Sequence, residues 1–264
     1  MKRYLGLSRG SILENAAFRG HFFFTLIGNV LYITLIYFLW KSIYQNTVSE
    51  INGMSFNETF MYLTLATSMY SLLMTWADWD MSRSMINGNI IQQLIKPTNY
   101  QMYKLFENLG AVVSNFVLLF VPSFLLIIFV FNGEIVLGFN IILFLLSIII
   151  AYVINFNLDF MTGLLSFYTE SIWGINMTKE VIVLLFSGAV VPLPFFPEGL
   201  RRVVELLPFQ AIYNIPLQIL TNKGLGIMDY VSHFAVQILW AVILSVAGHL
   251  FFIKASKIIT VNGG

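Results

Sequence analysis

Asp159 ends a long stretch in which no other charge is met after Glu134, and two amides, Asn155 and Asn157, precede it. Lys179 and Glu180 stand together at the head of a second apolar stretch. Ionisable side chains inside such runs mark function by default, because an unpaired charge in hydrocarbon is expensive. One chemistry open to Asp159 is relay of a proton or cation, as in an ion-coupled carrier. The other is structural: Asp159 pairs with Lys179 near a membrane surface, or both reach water along their own stems.

The remaining chemistry-bearing residues do not assemble into a reaction. His21, His233 and His249 lie in different regions, and the last two, sixteen residues apart, fall more than about four turns from each other on one helix. The serines have no neighbouring His and Asp in a nucleophile arrangement. There is no cysteine, which excludes disulfides and thiolate metal sites. No G-x-x-x-x-G-K-[ST] stretch occurs, so no ATP site of the P-loop kind is carried. No catalytic, cofactor-binding or metal-ligating residue is therefore expected. Asn57 and Asn176 begin N-x-T triplets of the sort that chance supplies in an Asn-rich chain.

The elements that must position Asp159 and Lys179 follow from composition. Of 264 residues, 58% are hydrophobic and 10% charged, far below the roughly 25% charged residues of a soluble domain. Uncharged runs of about 20 residues match the thickness of a bilayer core. They predict an all-α integral membrane protein with six transmembrane helices: 22–40, 59–77, 108–132, a fourth between Glu134 and Asp159, 171–196, and 230–253 ended by Lys254. Pro122 sits inside the third, where neighbouring helices can satisfy the freed carbonyl. No small-residue cleavage site follows the first run, so it reads as a retained span.

Basic residues give the orientation. With the amino terminus inside, the inner segments hold Lys2, Arg3, Arg9, Arg19, Arg83, Lys96, Lys104, Lys179, Lys254 and Lys257, and the outer segments only Lys41, Arg201, Arg202 and Lys223. Both termini are thus expected in the cytoplasm of a multi-pass protein of the cell inner membrane. The formal net charge of +1 argues neither for nor against nucleic acid, and none is expected as a partner.

Three segments outside the spans carry information. Residues 1–20 mix Tyr4, Leu5, Leu7, Ile12 and Phe18 with four basic side chains, the pattern of an interfacial helix against lipid headgroups. In the cytosolic region 80–105, Asn87-Gly88-Asn89 stops one helix and Pro97 ends a short second one, on which Ile91, Leu94 and Ile95 share a face. That face requires either a soluble partner or the protein's own helices. The region 192–229 holds five of the seven prolines. Pro197 and Glu198 start a short amphipathic helix there and Pro208 breaks it. Neither piece of this region can cross a bilayer, so together they read as a re-entrant helical hairpin before the last span.

In this order and spacing the chain resembles the ABC-2 type transporter permeases, in particular the branch of roughly 260-residue permeases. Ser187-Gly188, Pro192 and Pro197, then Leu207-Pro208-Phe209, are similar to the family pattern S-G-x-x-x-P-x-x-x-x-P followed by L-P-F. Phe167-Tyr168-Thr169-Glu170 and Leu94-Ile95-Lys96-Pro97 also resemble recurring stretches, and the similarity runs over a single transmembrane domain, 1–264. The resemblance implies an exporter subunit that is not an enzyme by itself and binds no cofactor. ATP and Mg would be bound by a partner ABC ATPase dimer, beside a second permease copy or a paralogous permease. It implies that Arg83, Ile91, Leu94, Ile95 and Lys96 form a coupling helix docked on that ATPase. Pro192, Pro194, Pro197 and Pro208 would belong to an extracytoplasmic gate. The implied substrates are drugs, peptides, lipids or polysaccharides. Two other classes stay open: a secondary carrier that depends on Asp159, and a non-transporting membrane scaffold.

Overall fold

The computed structural model describes residues 2–17, 19–45, 50–131, 138–222 and 224–258. Of the residues singled out above, Phe18, Asn132, Glu134 and Lys223 lie outside the described residues, as do the side chains of Lys2 and Arg19. The described residues form twelve α-helices in order: α1 Lys2–Ala17, α2 Arg19–Gln45, α3 Phe56–Leu73, α4 Ala77–Ile86, α5 Ile90–Leu94, α6 Tyr100–Asn115, α7 Val121–Phe131, α8 Phe139–Leu164, α9 Trp173–Phe186, α10 Glu198–Leu206, α11 Asn214–Thr221 and α12 Ile227–Ala255. A two-stranded hairpin, β1 Glu50–Ile51 and β2 Met54–Ser55, precedes α3. Its turn is Asn52-Gly53, both at positive φ (48° and 78°), the conformation that suits a tight hairpin.

Among the described residues, four stretches are long and apolar enough to cross a membrane: Gly20–Gln45, Tyr100–Phe129, Phe139–Phe167 and Ile227–Ile258. The other two stretches read as spans from sequence behave differently, for physical reasons. Helix α3 is buried along most of its length, so it can carry hydroxyls that lipid would penalise. Thr64, Thr67 and Ser68 donate to the carbonyls of Phe60, Leu63 and Thr64 at 2.7, 2.9 and 3.0 Å. Helix α9 has 14 residues, about 21 Å, and stops at Ser187 and Gly188, where φ is +83°.

Local chemistry sets the boundaries. Ser55 and Glu58 form a reciprocal capping box at the start of α3. Asn99 caps α6, accepting from the Met102 N–H at 3.0 Å, so the third long helix begins eight residues before Asn108 and takes in Lys104 and Glu107. A single wide turn of π type, Phe116–Phe120, joins α6 to α7 immediately before Pro122, absorbing the hydrogen bond that proline cannot donate.

Helices α3 and α8 supply much of the core, with Leu65, Leu72, Ile154 and Phe156 fully enclosed. Helices α2, α9 and α12 turn apolar faces outward, among them Phe24, Leu35, Val181 and Leu239. The short helices between α9 and α12 are not peripheral. Helix α11 is buried along Ile215, Leu217, Ile219 and Leu220, with Pro216 in its first turn. Gln237 ties this region to two long helices: its amide donates to the Ala211 carbonyl at 2.8 Å and its carbonyl accepts from Ser147 Oγ at 2.9 Å. Gln237→Leu strands the Ala211 carbonyl, and thermal unfolding in detergent should show a loss of about 1 kcal/mol.

Candidate functional site

The functional candidates collect at the end of the bundle where α3 finishes, α4 crosses and α9 begins. Leu73 ends α3, and the chain turns through Thr75 into α4. Asp78 stands in the first turn of α4, where an acid complements the helix dipole. It is nonetheless turned inward, 1% exposed against the body of the protein.

Around it lies a buried ionic bridge of three helices. Lys179 Nζ of α9 donates to Asp78 Oδ2 of α4 at 2.9 Å and to Asp159 Oδ1 of α8 at 2.5 Å, with Glu180 Oε1 at 3.2 Å. Asp159 is 3% exposed. Its second oxygen accepts from Thr75 Oγ1 and, at 3.4 Å, from Asn155 Nδ2. Asp78 also accepts from Asn176 Nδ2 and, through Oδ1, from the Trp79 N–H at 2.8 Å. Both carboxylates are thus saturated by protein donors, the condition under which buried charge is tolerated. Asp159, Lys179 and Glu180 are brought together here. Asp78 and Thr75 carry no motif in the sequence, and Asn176 reads there only as the start of an N-x-T triplet. The only signal for Asp78 was an acid beside Trp76 and Trp79, which reads equally as a helix start. Among the described residues, no group of three His, Asp or Glu side chains is placed to hold a metal ion.

The 80–105 region is divided over α4, α5 and the first turns of α6, with Ile95 and Lys96 in the turn after α5. Ile90 is buried, Ile91 and Leu94 pack half-buried against the core, and Ile95 is 75% exposed. Ile91 and Leu94 therefore spend their apolar surface on this chain, and the large apolar side chains left open on α4, α5 and the turn after it are Ile86, 68% exposed, and Ile95. Arg83 is exposed and reaches Asp80 at 3.6 Å. Burial pushes the Asp80 carboxyl above its ordinary range, opposed by Lys104 and Arg83. Lys96 lies over the ring of Tyr103, 4.7 Å from its centre. Gln93 accepts from Tyr100 at 3.4 Å and donates to Ser84 at 3.2 Å, fixing α5 to both α4 and α6.

At the other end of the bundle, Pro192 and Pro194 line a cavity of about 610 Å³ with the first turns of α3 and with α11. Pro197 precedes α10 at the surface, and Pro208 is buried where the chain turns toward α11. The four prolines thus do not form one cluster. Helix α10 buries Val204, while Leu200 and Val203 on the same side are 42% and 55% exposed. Its Arg201–Glu205 and Arg202–Glu198 pairs close at 2.7 and 2.5 Å.

Helix α1 lies along α6. Ser8 Oγ donates to the Phe106 carbonyl at 2.6 Å, and the Asn99 N–H reaches Tyr4 Oη at 3.3 Å. Gly110 permits the contact, since a Cβ there would stand 2.4 Å from the Ser8 carbonyl.

A family model described as ABC-2 family transporter protein matches residues 30–263. No curated protein and no solved structure matches the chain.

Proposed function

The chain belongs to the ABC-2 transporter family, and from that premise we propose that it is the permease subunit of an ABC exporter, with α4 and α5 as its coupling element. ATP and Mg belong to a separate ATPase dimer, and this chain performs no hydrolysis. The observation that carries the reading is the α4–α5 excursion. It is anchored to the body through Asp78 and through Gln93, which accepts from Tyr100 of α6, yet it leaves Ile86 and Ile95 bare. Apolar residues on a short anchored element outside the long helices suit a soluble partner surface.

In this reading the protein crosses the membrane six times as one domain. Helix α3 crosses inside a protein shell, and α9 is completed by the turns that follow Gly188. The α4 end faces the cytoplasm with both termini, and α1 lies at the inner leaflet. The outward apolar faces of α2, α9 and α12 meet lipid or a second permease, identical or paralogous. The segment with Pro192, Pro194, Pro197 and Pro208 closes the outer side. The exported substrate belongs to the drug, peptide, lipid or polysaccharide classes. A carrier role for Asp159 draws no support from a carboxylate whose two oxygens are already engaged.

Co-purification tests the reading. With neighbouring genes co-expressed, tagged wild-type chain should retain an ABC ATPase. Ile86→Asp/Ile95→Asp should lose at least about ten-fold of it while eluting as a folded species, because the partner would have to bury two unpaired charges. Undiminished capture by the variant places the coupling surface elsewhere, and no ATPase on the wild type sinks the permease reading.

A further inference from the structure

Helix α9 is poorly anchored by packing: only Asn176 and Val183 of its residues are buried, and Trp173, Val181 and Leu185 are turned outward. At its α4 end it is held by polar bonds instead. Asn176 and Lys179 both reach Asp78, and Lys179 also reaches Asp159. Helices α4 and α8, by contrast, are pressed together. A Cβ on Gly163 of α8 would stand 3.0 Å from Asp78 Cα and 2.8 Å from Met81 Sδ. So α4 and α8 form one tight unit, to which α9 is tied by an ammonium and an amide.

The other end of α9 runs directly into the proline segment. Ser187 follows the last turn, its carbonyl accepts from the Asn214 N–H at 3.2 Å, and Gly188 takes a φ of +83° against Tyr62. The Phe186 ring stacks on Phe209. A helix fixed at both ends but little packed along its side is a rod. A displacement of its first turns is carried to its last, because a regular helix resists compression more than a surface contact resists sliding.

We propose that the Asp78–Lys179–Asp159 bridge is the tie through which movement of the α4–α5 element is passed along α9 to the segment between Gly188 and Pro197. Lys179 is a positioning residue in this role: it touches no substrate and acts by holding three helices. The inference rests on the permease reading and deepens it. It gives a role to a buried lysine at a position where apolar packing would serve stability equally well.

The absence of cysteine from the chain makes the test direct. Val190, 40% exposed between Gly188 and Pro192, is replaced by cysteine in the permease–ATPase complex in proteoliposomes. Its reaction with a membrane-impermeant maleimide is timed without nucleotide and with ATP plus vanadate. In the otherwise wild-type chain the rate should change at least about five-fold between the two conditions, the lower end of ordinary coupling between sites. In Lys179→Met/Asp78→Asn/Asp159→Asn, where no buried carboxylate is left unpaired and Glu180, 35% exposed, turns to solvent, the nucleotide effect should vanish while ATP hydrolysis stays within about two-fold of wild type. Lys179→Arg, which keeps the bridge, should retain it. A nucleotide effect that persists in the triple variant, or that is missing from the wild type, overturns the proposal. A complex in which no ATPase is present fails instead on the permease reading.

Discussion

Lys179→Met should be the most damaging single substitution in the chain, lowering stability by about 3–5 kcal/mol. The size follows from what is left behind. Asp78 and Asp159 are 1% and 3% exposed and share one ammonium. Remove it, and two buried carboxylates, with that of Glu180 close by, keep only Thr75, Asn155, Asn176 and a backbone N–H as donors. The same argument predicts recovery. In Lys179→Met/Asp78→Asn/Asp159→Asn every charge of the bridge between helices has gone, and neutral amides keep much of the hydrogen bonding. Replacing a whole buried ion pair is commonly neutral, whereas removing one partner is not. Thermal unfolding in detergent, followed by tryptophan fluorescence, should show the single variant roughly 10 °C below wild type. The triple variant should recover most of that loss. A single variant that unfolds with wild-type chain would mean that water reaches both carboxylates.

The contrast between these variants separates holding from transmitting. If the bridge served stability alone, the triple variant would be a working transporter subunit. If it serves as a tie between α4, α8 and α9, stability returns and coupling does not. Stability and nucleotide response then part company in one protein, which is the behaviour that packing alone cannot produce.

The long helices were legible because a lipid-facing helix must be apolar over a bilayer's thickness, and α2, α8 and α12 fall on runs that show it. Their ends were less legible, since a run is closed by its first charge while a helix continues past one that is paired. Lys104, with Glu107 at 2.7 Å, and Asp159 both lie inside helices that the runs had cut short. Helix α9 was overextended to Phe196, because Gly188 and Pro192 interrupt a stretch that remains apolar. The partnership of Asp159 with Lys179 was among the sequence readings, as two opposite charges at the same depth. Asp78 was not, because its partners lie 98 and 101 positions away and no periodicity links residues so distant. On α5 the i, i+3, i+4 rule grouped Ile91, Leu94 and Ile95, but one helical turn cannot say which side of a stripe the rest of the protein covers. The tertiary fold covers Ile91 and Leu94 and leaves Ile95.

Gly110→Leu should release α1 from the bundle. At Gly110 the obstacle is backbone: an added Cβ meets the Ser8 carbonyl at 2.4 Å and Ser11 Cβ at 2.6 Å. No rotamer change relieves a clash with a carbonyl, so α1 must move as a body. With it go the Ser8–Phe106 hydrogen bond at 2.6 Å and the contact of the Tyr4 and Phe106 rings, 5.3 Å apart. Overpacking of this kind costs about 1–3 kcal/mol, and here it falls on one short helix whose attachment lacks the enclosure of the core. Trypsin reads the result, since Arg3 and Arg9 lie on the exposed side of α1. Cleavage at Arg9 should accelerate about ten-fold or more in detergent, the factor that roughly 1.4 kcal/mol of easier opening supplies. Gly6→Ala supplies the control. The same helix gains a Cβ with nothing within 4 Å of it, so the only effect is the better helix propensity of alanine, and cleavage should slow. Acceleration in both variants would mean that α1 responds to its own sequence and not to its seat on α6. Acceleration in neither would mean that α6 tolerates a side chain at Gly110, and that the close approach of the two helices is not what holds α1 in place.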